Sequence, residues 1–247
     1  TAVKDGQFGP VHLDKQVVPD QITVGRAFQL DPAENFISAS FDACVLSSAR
    51  TGAVAALAID RLMESPNSMT LLGAGRVASF AATYVCDCCS IRRLTIVDPH
   101  AQRRDKLASY LREVYPHVDV HATASLENDR SDVVVIATTA RALVLPADRT
   151  RADLVVSLGA DSDQQSELGD EWPKIASLFV DGPDCLLMGD AHRWLERGLV
   201  VPEDMTNLVD IHRPDFVCPA GRRVFVSTGS ALLDNLTIQF LLDPAEF

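Results

Sequence analysis

Residues 69–78 contain the most informative pattern of the chain and read Met69-Thr70-Leu71-Leu72-Gly73-Ala74-Gly75-Arg76-Val77-Ala78. Its first four residues are mostly apolar and predict a short buried strand, after which the glycines predict a tight turn. Residues 77–85 then have the apolar spacing of a helix. A strand, a glycine-rich turn and a helix in this order carry the pattern G-x-G-x-x-A, which is typical of a phosphate-binding turn in an α/β sheet.

Each small residue of this pattern has its own physical role. Gly73 permits the tight turn off the strand, and Gly75 has no Cβ, so a pyrophosphate can approach the backbone. Ala78 lets the helix pack closely on the sheet. Arg76 and Val77 begin the helix, where free N–H groups and the positive end of the helix dipole favour phosphate. The alternative is a turn that needs glycine for packing alone.

A second apolar strand follows the helix and ends at Asp98, 23 positions after Gly75. This distance is expected for the acid that binds the ribose hydroxyls of a dinucleotide. A carboxylate there would repel a 2′-phosphate, so the sequence favours NAD over NADP as the cofactor. Arg103 and Arg104 could favour a 2′-phosphate, but we expect both on the solvated face of the next helix.

Apolar runs and helical patterns alternate along the rest of the chain. A hairpin is predicted at 27–30 and 36–41. The predicted helices are at 51–63, 77–85, 101–114, 184–198 and 231–242, and the further predicted strands are at 69–72, 94–97, 118–120, 132–138, 154–158, 178–181 and 224–227. Continuous apolar strands are typical of a parallel sheet that is covered on both faces. Their alternation with helices predicts βαβ units and therefore an α/β, Rossmann-type domain.

Composition excludes several functional classes. The chain has 34 acidic and 22 basic residues, a formal charge of −12, which would repel nucleic acids and anionic membrane surfaces. The longest apolar stretch falls short of the roughly 20 residues that span a bilayer. We therefore expect no nucleic-acid or membrane partner and a cytoplasmic location. The abrupt start, without methionine or signal pattern, leads us to expect a missing N-terminal part.

The six cysteines raise the possibility of a metal site. Cys86-Asp87-Cys88-Cys89 resembles half of a zinc cluster, but no second ligand pair follows at a usual spacing. We therefore interpret the cysteines as reduced thiols of a cytosolic protein and predict no metal site.

Four separated motifs resemble the ornithine cyclodeaminase/μ-crystallin family. They are Ser47-Ser48-Ala49-Arg50-Thr51-Gly52-Ala53, the glycine-rich turn, Gly159-Ala160-Asp161 with Glu167-Leu168, and Val226-Ser227-Thr228-Gly229-Ser230-Ala231-Leu232-Leu233-Asp234. Residues around Leu30-Asp31-Pro32 and Ser47 are most similar to the branch that makes 2,3-diaminopropionate. The resemblance extends from about Val3 to Asp234, and a usual family member begins roughly a quarter of its length earlier.

The resemblance implies a Rossmann NAD-binding domain at 67–229, inserted into a smaller α+β substrate and dimerisation domain at 1–66 and 230–247. It implies that Arg50 binds the substrate carboxylate, for which paired guanidinium hydrogen bonds are suited. Asp161 is then the catalytic acid–base, and Lys4 holds the substrate and shuttles protons. The implied cofactor-binding residues are Thr51, Gly73, Gly75, Arg76, Val77, Asp98, Thr138, Gly159 and Ser227.

These residue roles have plainer alternatives. Arg50 and Lys4 could be surface side chains, and Asp161 could cap a helix. Gln165 stands where many family members have a lysine, which argues against ornithine cyclisation itself.

The resemblance implies NAD-dependent oxidation of an α-amino acid at its Cα–N bond, or reduction of the matching imine, by a homodimer. A non-catalytic, crystallin-like NAD(P)H-binding protein is the alternative, and a structural dimerisation module is a third reading.

Overall fold

The fold comes from a computed structural model that describes residues 25–31, 33, 36–140, 143–159 and 165–243. The chain divides into two compact units, Thr1–Arg50 with Ala231–Phe247, and Thr51–Ser230. The predicted first boundary lies at residue 66 instead. The difference arises because the helix that follows Arg50 packs into the larger unit. A Cβ on Gly52 would lie 2.7 Å from the Phe80 carbonyl carbon, so glycine permits this close helix packing.

The smaller unit contains the predicted hairpin. Strands β1 (Arg26–Asp31) and β2 (Phe36–Asp42) pair in an antiparallel manner, which confirms that prediction. Helix α1 (Ala43–Leu62) begins directly after β2, and its first residues belong to this unit. The prediction that this helix begins at residue 51 was wrong. Asp42 supplies the missing start signal, because its Oδ1 accepts the backbone N–H groups of Cys44 and Val45 at 3.0 Å each.

The larger unit is built on a parallel sheet of eight strands. The apolar runs predict seven of them, and the short edge strand at Met205–Asn207 was not predicted. The strands are β3 (Ser68–Leu72), β4 (Arg93–Val97), β5 (Asp119–Thr123), β6 (Val133–Ile136), β7 (Leu154–Ser157), β8 (Ala176–Val180), β9 (Met205–Asn207) and β10 (Arg222–Val226). Their spatial order is β5-β4-β3-β6-β7-β10-β8-β9, and every adjacent pair is parallel. All residues of β3, β6 and β7 are buried, which explains their unbroken apolar character.

The order of the strands creates a switch point at the middle of the sheet. The chain runs outward from β3 through β4 to β5, then returns to the other side of β3 with β6. Ligands of open α/β sheets bind outside the carboxyl ends of the strands at such a reversal. The carboxyl ends of β3 and β6 are therefore the place where the fold favours a ligand.

Two helices of the larger unit were predicted to within three residues of their bounds. Helix α2 (Arg76–Cys88) follows the glycine-rich turn, and α3 (Ala101–Val114) has the predicted bounds. The prediction of a single helix over 184–198 was wrong, because this segment is not one continuous helix. It is interrupted by extended backbone at Met188, which separates a short 3-10 turn from α4 (Gly189–Glu196). The remaining helices are α5 (Leu208–Ile211) in this unit and α6 (Ala231–Leu242) in the smaller one.

Helix α1 is long and apolar enough, by length and composition, to cross a membrane. This corrects the expectation that the chain contains no such stretch, because α1 is longer than its sequence pattern indicated. Half of the apolar segment of α1 is buried inside the protein, and Ala55, Ala58 and Ile59 are fully buried. A buried core helix passes the same test, so α1 alone is weak evidence for a membrane span.

Candidate functional site

The glycine-rich turn joins β3 to α2 at the switch point. Gly73 has a φ of +101°, which an L side chain rarely adopts, and its N–H donates to the Val97 carbonyl oxygen at 2.8 Å. A Cβ on Gly73 would lie 2.4 Å from the Ala137 carbonyl oxygen. Glycine is therefore required at this position by both backbone conformation and space.

Gly75 has a different reason to be glycine. Its φ of −82° is ordinary, and an added Cβ would meet no protein atom within 4 Å. The open space in front of its backbone is where a pyrophosphate would approach. Gly75 is the N-cap of α2 without a side-chain cap, so Arg76 and Val77 begin a helix whose first N–H groups are available to an anion. Ala78 is fully buried, as its packing role predicts.

Asp98 follows β4 directly and is buried beside the same turn. One carboxylate oxygen, Oδ2, accepts the Ala74 N–H at 2.8 Å, and the other, Oδ1, accepts the His100 N–H at 2.7 Å. The structure thus brings the acid and the glycine-rich turn together, although 24 positions separate the two hydrogen-bonded residues.

The expectation for the two arginines of α3 was right for one and wrong for the other. Arg103 is exposed to solvent. Arg104 is half-buried instead, and its Nη1 donates to the carbonyl oxygen of Asp98 at 3.1 Å while its Nε contacts Asp105. The Arg104 side chain lies in the first turn of α3 and points back towards the end of β4. The pattern of polar residues along the helix does not predict this orientation.

Thr138 and Gly159 follow β6 and β7 and converge on a buried acid, Glu167. One oxygen, Oε1, accepts from the Thr138 hydroxyl at 2.8 Å and the Thr138 N–H at 3.2 Å. The other, Oε2, accepts from the Ser157 hydroxyl at 2.6 Å and the Gly159 N–H at 3.1 Å. Burial raises the pKa of Glu167 to about 7, although all these hydrogen bonds act to lower it.

Ser227 follows β10 and is hydrogen-bonded to another buried acid, Asp181, which directly follows β8. Asp181 Oδ2 accepts from the Ser227 hydroxyl at 2.6 Å and the Gly229 N–H at 2.8 Å. The Cys185 thiol donates to Asp181 Oδ1, and burial raises the pKa of this thiol well above its usual value. Cys185 is therefore a neutral hydrogen-bond donor in this cluster.

Sequence reasoning did not assign roles to Glu167 and Asp181. Glu167 was noticed only within a family motif, because nothing local shows that it reaches two strand ends. Asp181 could have been found, because it ends an apolar strand in the same way as Asp98 does. The carboxyl ends of six adjacent strands are lined by Asp98, Gly73, Thr138, Gly159, Ser227 and Asp181, and Glu167 joins two of these ends.

Arg50 lies in the smaller unit and is engaged by side chains of that unit. Its Nε donates to Asp234 Oδ1 at 2.7 Å and its Nη2 to the Ser47 hydroxyl at 3.2 Å, with the guanidinium largely buried. Thr51 is buried at the start of the larger unit. Lys4 and Asp161 lie outside the described residues. The functional roles assigned to all four residues stay predictions.

The cysteines are free thiols, and Cys86 and Cys89 have pKa values raised to about 12 and about 11, mainly by burial. Within the described ranges, no group of three or more His, Cys, Asp or Glu side chains is arranged to hold a metal ion.

The parallel sheet, its switch point and the glycine-rich turn define a Rossmann-type α/β protein. The chain belongs to the ornithine cyclodeaminase/mu-crystallin family, whose profile matches residues 13–201. It is 30% identical, over an alignment of 253 residues, to an L-lysine cyclodeaminase of Streptomyces rapamycinicus, and the alignment covers 99% of this chain and 71% of that protein.

Solved structures share the fold at lower identity. The iminosuccinate reductase of Paracoccus denitrificans in complex with NAD+ has a TM-score of 0.80 at 19% identity, covering 95% of this chain and 74% of that one. An archaeal alanine dehydrogenase dimer with bound NAD has a TM-score of 0.77 at 23% identity, covering 87% and 69%. These likenesses confirm the predicted α/β architecture.

Proposed function

We propose that this protein is an NAD-dependent oxidoreductase that acts on the Cα–N bond of an α-amino acid. It would oxidise the amino acid to an imine or reduce the matching imine. The observation that carries the proposal is the hydrogen bond between Asp98 and the Ala74 N–H, which joins the acid to the glycine-rich turn at the switch point. The names of the three similar proteins, which refer to lysine, alanine and iminosuccinate, favour amino acid or imine substrates.

The residues at this edge fit an NAD molecule. Gly75 leaves the backbone open for a pyrophosphate, and the start of α2 offers N–H groups to it. Asp98 would accept hydrogen bonds from the adenosine ribose and disfavour a 2′-phosphate, so NAD is preferred over NADP. NAD, when bound, supplies a hydride acceptor for the oxidation.

The substrate side of the proposal rests on the family resemblance. Asp161 would take the proton from the amino nitrogen, and Lys4 would help to hold the substrate and move protons. Arg50 would bind the substrate carboxylate. Its contact with Asp234 supports this role in part, because the ion pair restricts the guanidinium to one orientation.

The chemistry is tested by a screen of amino acids, and of α-keto acids with amines, for a change in NADH absorbance. For a substrate found in this way, Asp161→Asn should lower kcat about 100-fold or more while NADH binding stays near that of the wild type. Arg50→Lys should instead raise KM, because a point charge cannot replace two parallel hydrogen bonds.

Two outcomes would contradict the enzymatic proposal. Near-wild-type turnover of Asp161→Asn would remove Asp161 from the chemistry. If NADH binds but no compound in the screen changes its absorbance, the non-catalytic, crystallin-like function should replace the enzymatic one.

The choice of cofactor has its own test. NADH should bind more tightly than NADPH, and Asp98→Ser should narrow this difference because it removes the repulsion of the 2′-phosphate. Calorimetric titration of both cofactors measures this preference, and equal or tighter binding of NADPH to the wild type would refute it.

We also propose that the protein is a cytoplasmic homodimer that pairs through its smaller unit. Phe28, Leu30 and Phe36 of the hairpin are more than half exposed, as are Leu232 and Leu241 of α6. Apolar surface of this kind is typical of an interface between subunits. Light scattering at micromolar concentration should give the mass of two chains, and a monomer would argue against this assembly.

A further inference from the structure

Glu167 is fully buried between the carboxyl ends of β6 and β7. Both of its oxygens accept hydrogen bonds, one from the backbone and hydroxyl of Thr138, the other from Ser157 and the backbone of Gly159. The contact is so close that a Cβ on Gly159 would lie 2.3 Å from Glu167 Oε1. Glycine at position 159 therefore lets the chain pass directly over the carboxyl group.

The backbone of Glu167 is held as firmly as its side chain. Asp190 Oδ2, fully buried at the start of α4, accepts the N–H groups of Glu167 and Leu168 at 3.0 and 3.1 Å. Arg193 pairs with Asp190 and also donates to the Leu168 carbonyl oxygen. The Glu167 carboxyl is thus fixed from α4 on one side and from the two strand ends on the other.

This arrangement is a costly way to hold two strands together. A buried carboxylate loses hydration, and no described cation forms an ion pair with Glu167 to compensate for that loss. An apolar side chain would fill the same space without the loss of hydration that a buried carboxylate suffers. The retained carboxyl group contributes a specific geometry, because it aligns Thr138 and Gly159 by their own N–H groups.

We propose that Glu167 is a positioning residue that sets the backbone of Thr138 and Gly159 for cofactor binding at this edge. The inference rests on the proposed function, in which the ends of β6 and β7 contact the dinucleotide. Glu167 acts through these two residues and does not itself touch the cofactor or the substrate.

The test compares Glu167→Gln with Glu171→Gln. Glu171 is a suitable control because its Oε1 also accepts one backbone N–H, that of Ala147 at 2.9 Å, away from the strand ends. Glutamine keeps the size of Glu167 but turns an NH2 group towards two donors. We expect the Thr138 and Gly159 amides to exchange hydrogen faster in Glu167→Gln, and the dissociation constant of NADH to rise about tenfold.

Ser157→Ala serves as a second variant if Glu167→Gln fails to fold, because it removes one donor and keeps the carboxyl group. It should weaken NADH binding by a smaller factor, about threefold. Glu171→Gln should change neither amide exchange nor NADH affinity.

The outcomes separate this inference from the function on which it rests. If the wild type fails to bind NADH, the proposed function is wrong and the inference falls with it. If the wild type binds NADH and Glu167→Gln binds it equally well, or leaves both amides unchanged, only the positioning role is wrong.

Discussion

The two edges of the eight-stranded sheet each contain a carboxyl group that ties neighbouring segments together. At the amino edge, where β3 and β6 begin, Asp132 Oδ2 accepts the N–H groups of Asn67 and Ser68 and the Ser68 hydroxyl at 2.8–2.9 Å. At the carboxyl edge, Glu167 holds the ends of β6 and β7. Both carboxyl groups accept hydrogen bonds from neighbouring segments, yet their pKa values are shifted in opposite directions.

Burial explains the difference. Asp132 is half-buried, and although burial raises its pKa, the hydrogen bonds from Asn67 and Ser68 and the charge of Arg93 lower it below its usual value. Glu167 is completely buried, and its hydrogen bonds cannot offset the lost hydration, so its pKa rises to about 7. Glu167 at the carboxyl edge is therefore unfavourable for the stability of the folded state when it is ionised, as expected where a site is held in a defined geometry.

Glycine substitutions should give the largest difference in the free energy of unfolding between the two edges. Gly73 at the carboxyl edge and Gly221 at the amino edge both have positive φ, +101° and +92°, but only Gly73 is crowded. Gly221→Ala should lower the free energy of unfolding by about 1 kcal/mol, from backbone strain alone. Gly73→Ala should lower it by about 4 kcal/mol, because the new Cβ also collides with the Ala137 carbonyl. Urea denaturation measures both, and equal losses would remove this contrast.

The dependence of stability on pH should differ between the two carboxyl groups. Because the folded state raises the pKa of Glu167 from 4.5 to about 7, it binds the proton more tightly than the unfolded chain does. This contribution is complete below pH 4.5 and is lost as the pH rises through about 7. Relative to Glu167→Gln, the wild type should therefore lose about 3 kcal/mol of unfolding free energy over this range.

Asp132→Asn provides the opposite case. Because the pKa of Asp132 is lowered, its contribution is present above the ordinary value and is lost as the pH falls below it. The stability advantage of the wild type over Asp132→Asn should thus shrink in acid. Denaturant titrations across the pH range measure both variants, and a wild type that gained stability over Glu167→Gln with rising pH would contradict the assigned direction.

The smallest expected effect separates ligand binding from folding. Gly75 and Gly182 both follow strands at the carboxyl edge, and an added Cβ at either one meets no protein atom within 4 Å. Gly75→Ala should leave stability unchanged within about 0.5 kcal/mol but weaken NADH binding about tenfold, because the methyl group occupies the path of the pyrophosphate. Gly182→Ala should change neither quantity. Unchanged NADH affinity of Gly75→Ala in a fluorescence titration would argue against a cofactor at this turn.

Local patterns predicted the elements well where each element carries its own signal. Helix α3 begins and ends as its apolar spacing indicates, and the buried strands were found from continuous apolar runs. The start of α1 was missed because its signal is a capping contact of Asp42, and the break before α4 was missed because apolar spacing continues across it. The first error concerns a hydrogen bond and the second a change of backbone conformation at Met188, and apolar periodicity reports neither.

The candidate site divides in the same way. Gly73, Gly75 and Asp98 were predicted because a strand, a turn and a second strand constrain them within a short segment. Glu167 was not predicted as part of the site, since its partners at Thr138, Ser157 and Gly159 come from two other strand ends. The position of Arg104 beside Asp98 likewise depends on how α3 leaves β4.

The parallel α/β sheet, the glycine-rich turn and the acid at the end of β4 were all predictable from local sequence patterns. These features follow from burial of apolar runs and from backbone conformations that only glycine adopts. Which carboxyl groups are buried, and which backbone N–H groups they accept, depends on long-range packing that local patterns do not contain. Burial and hydrogen-bond partners are set by the crossovers that bring distant strand ends to one edge of the sheet. These crossovers explain why the pKa of Glu167 is raised to about 7 while that of Asp132 is lowered.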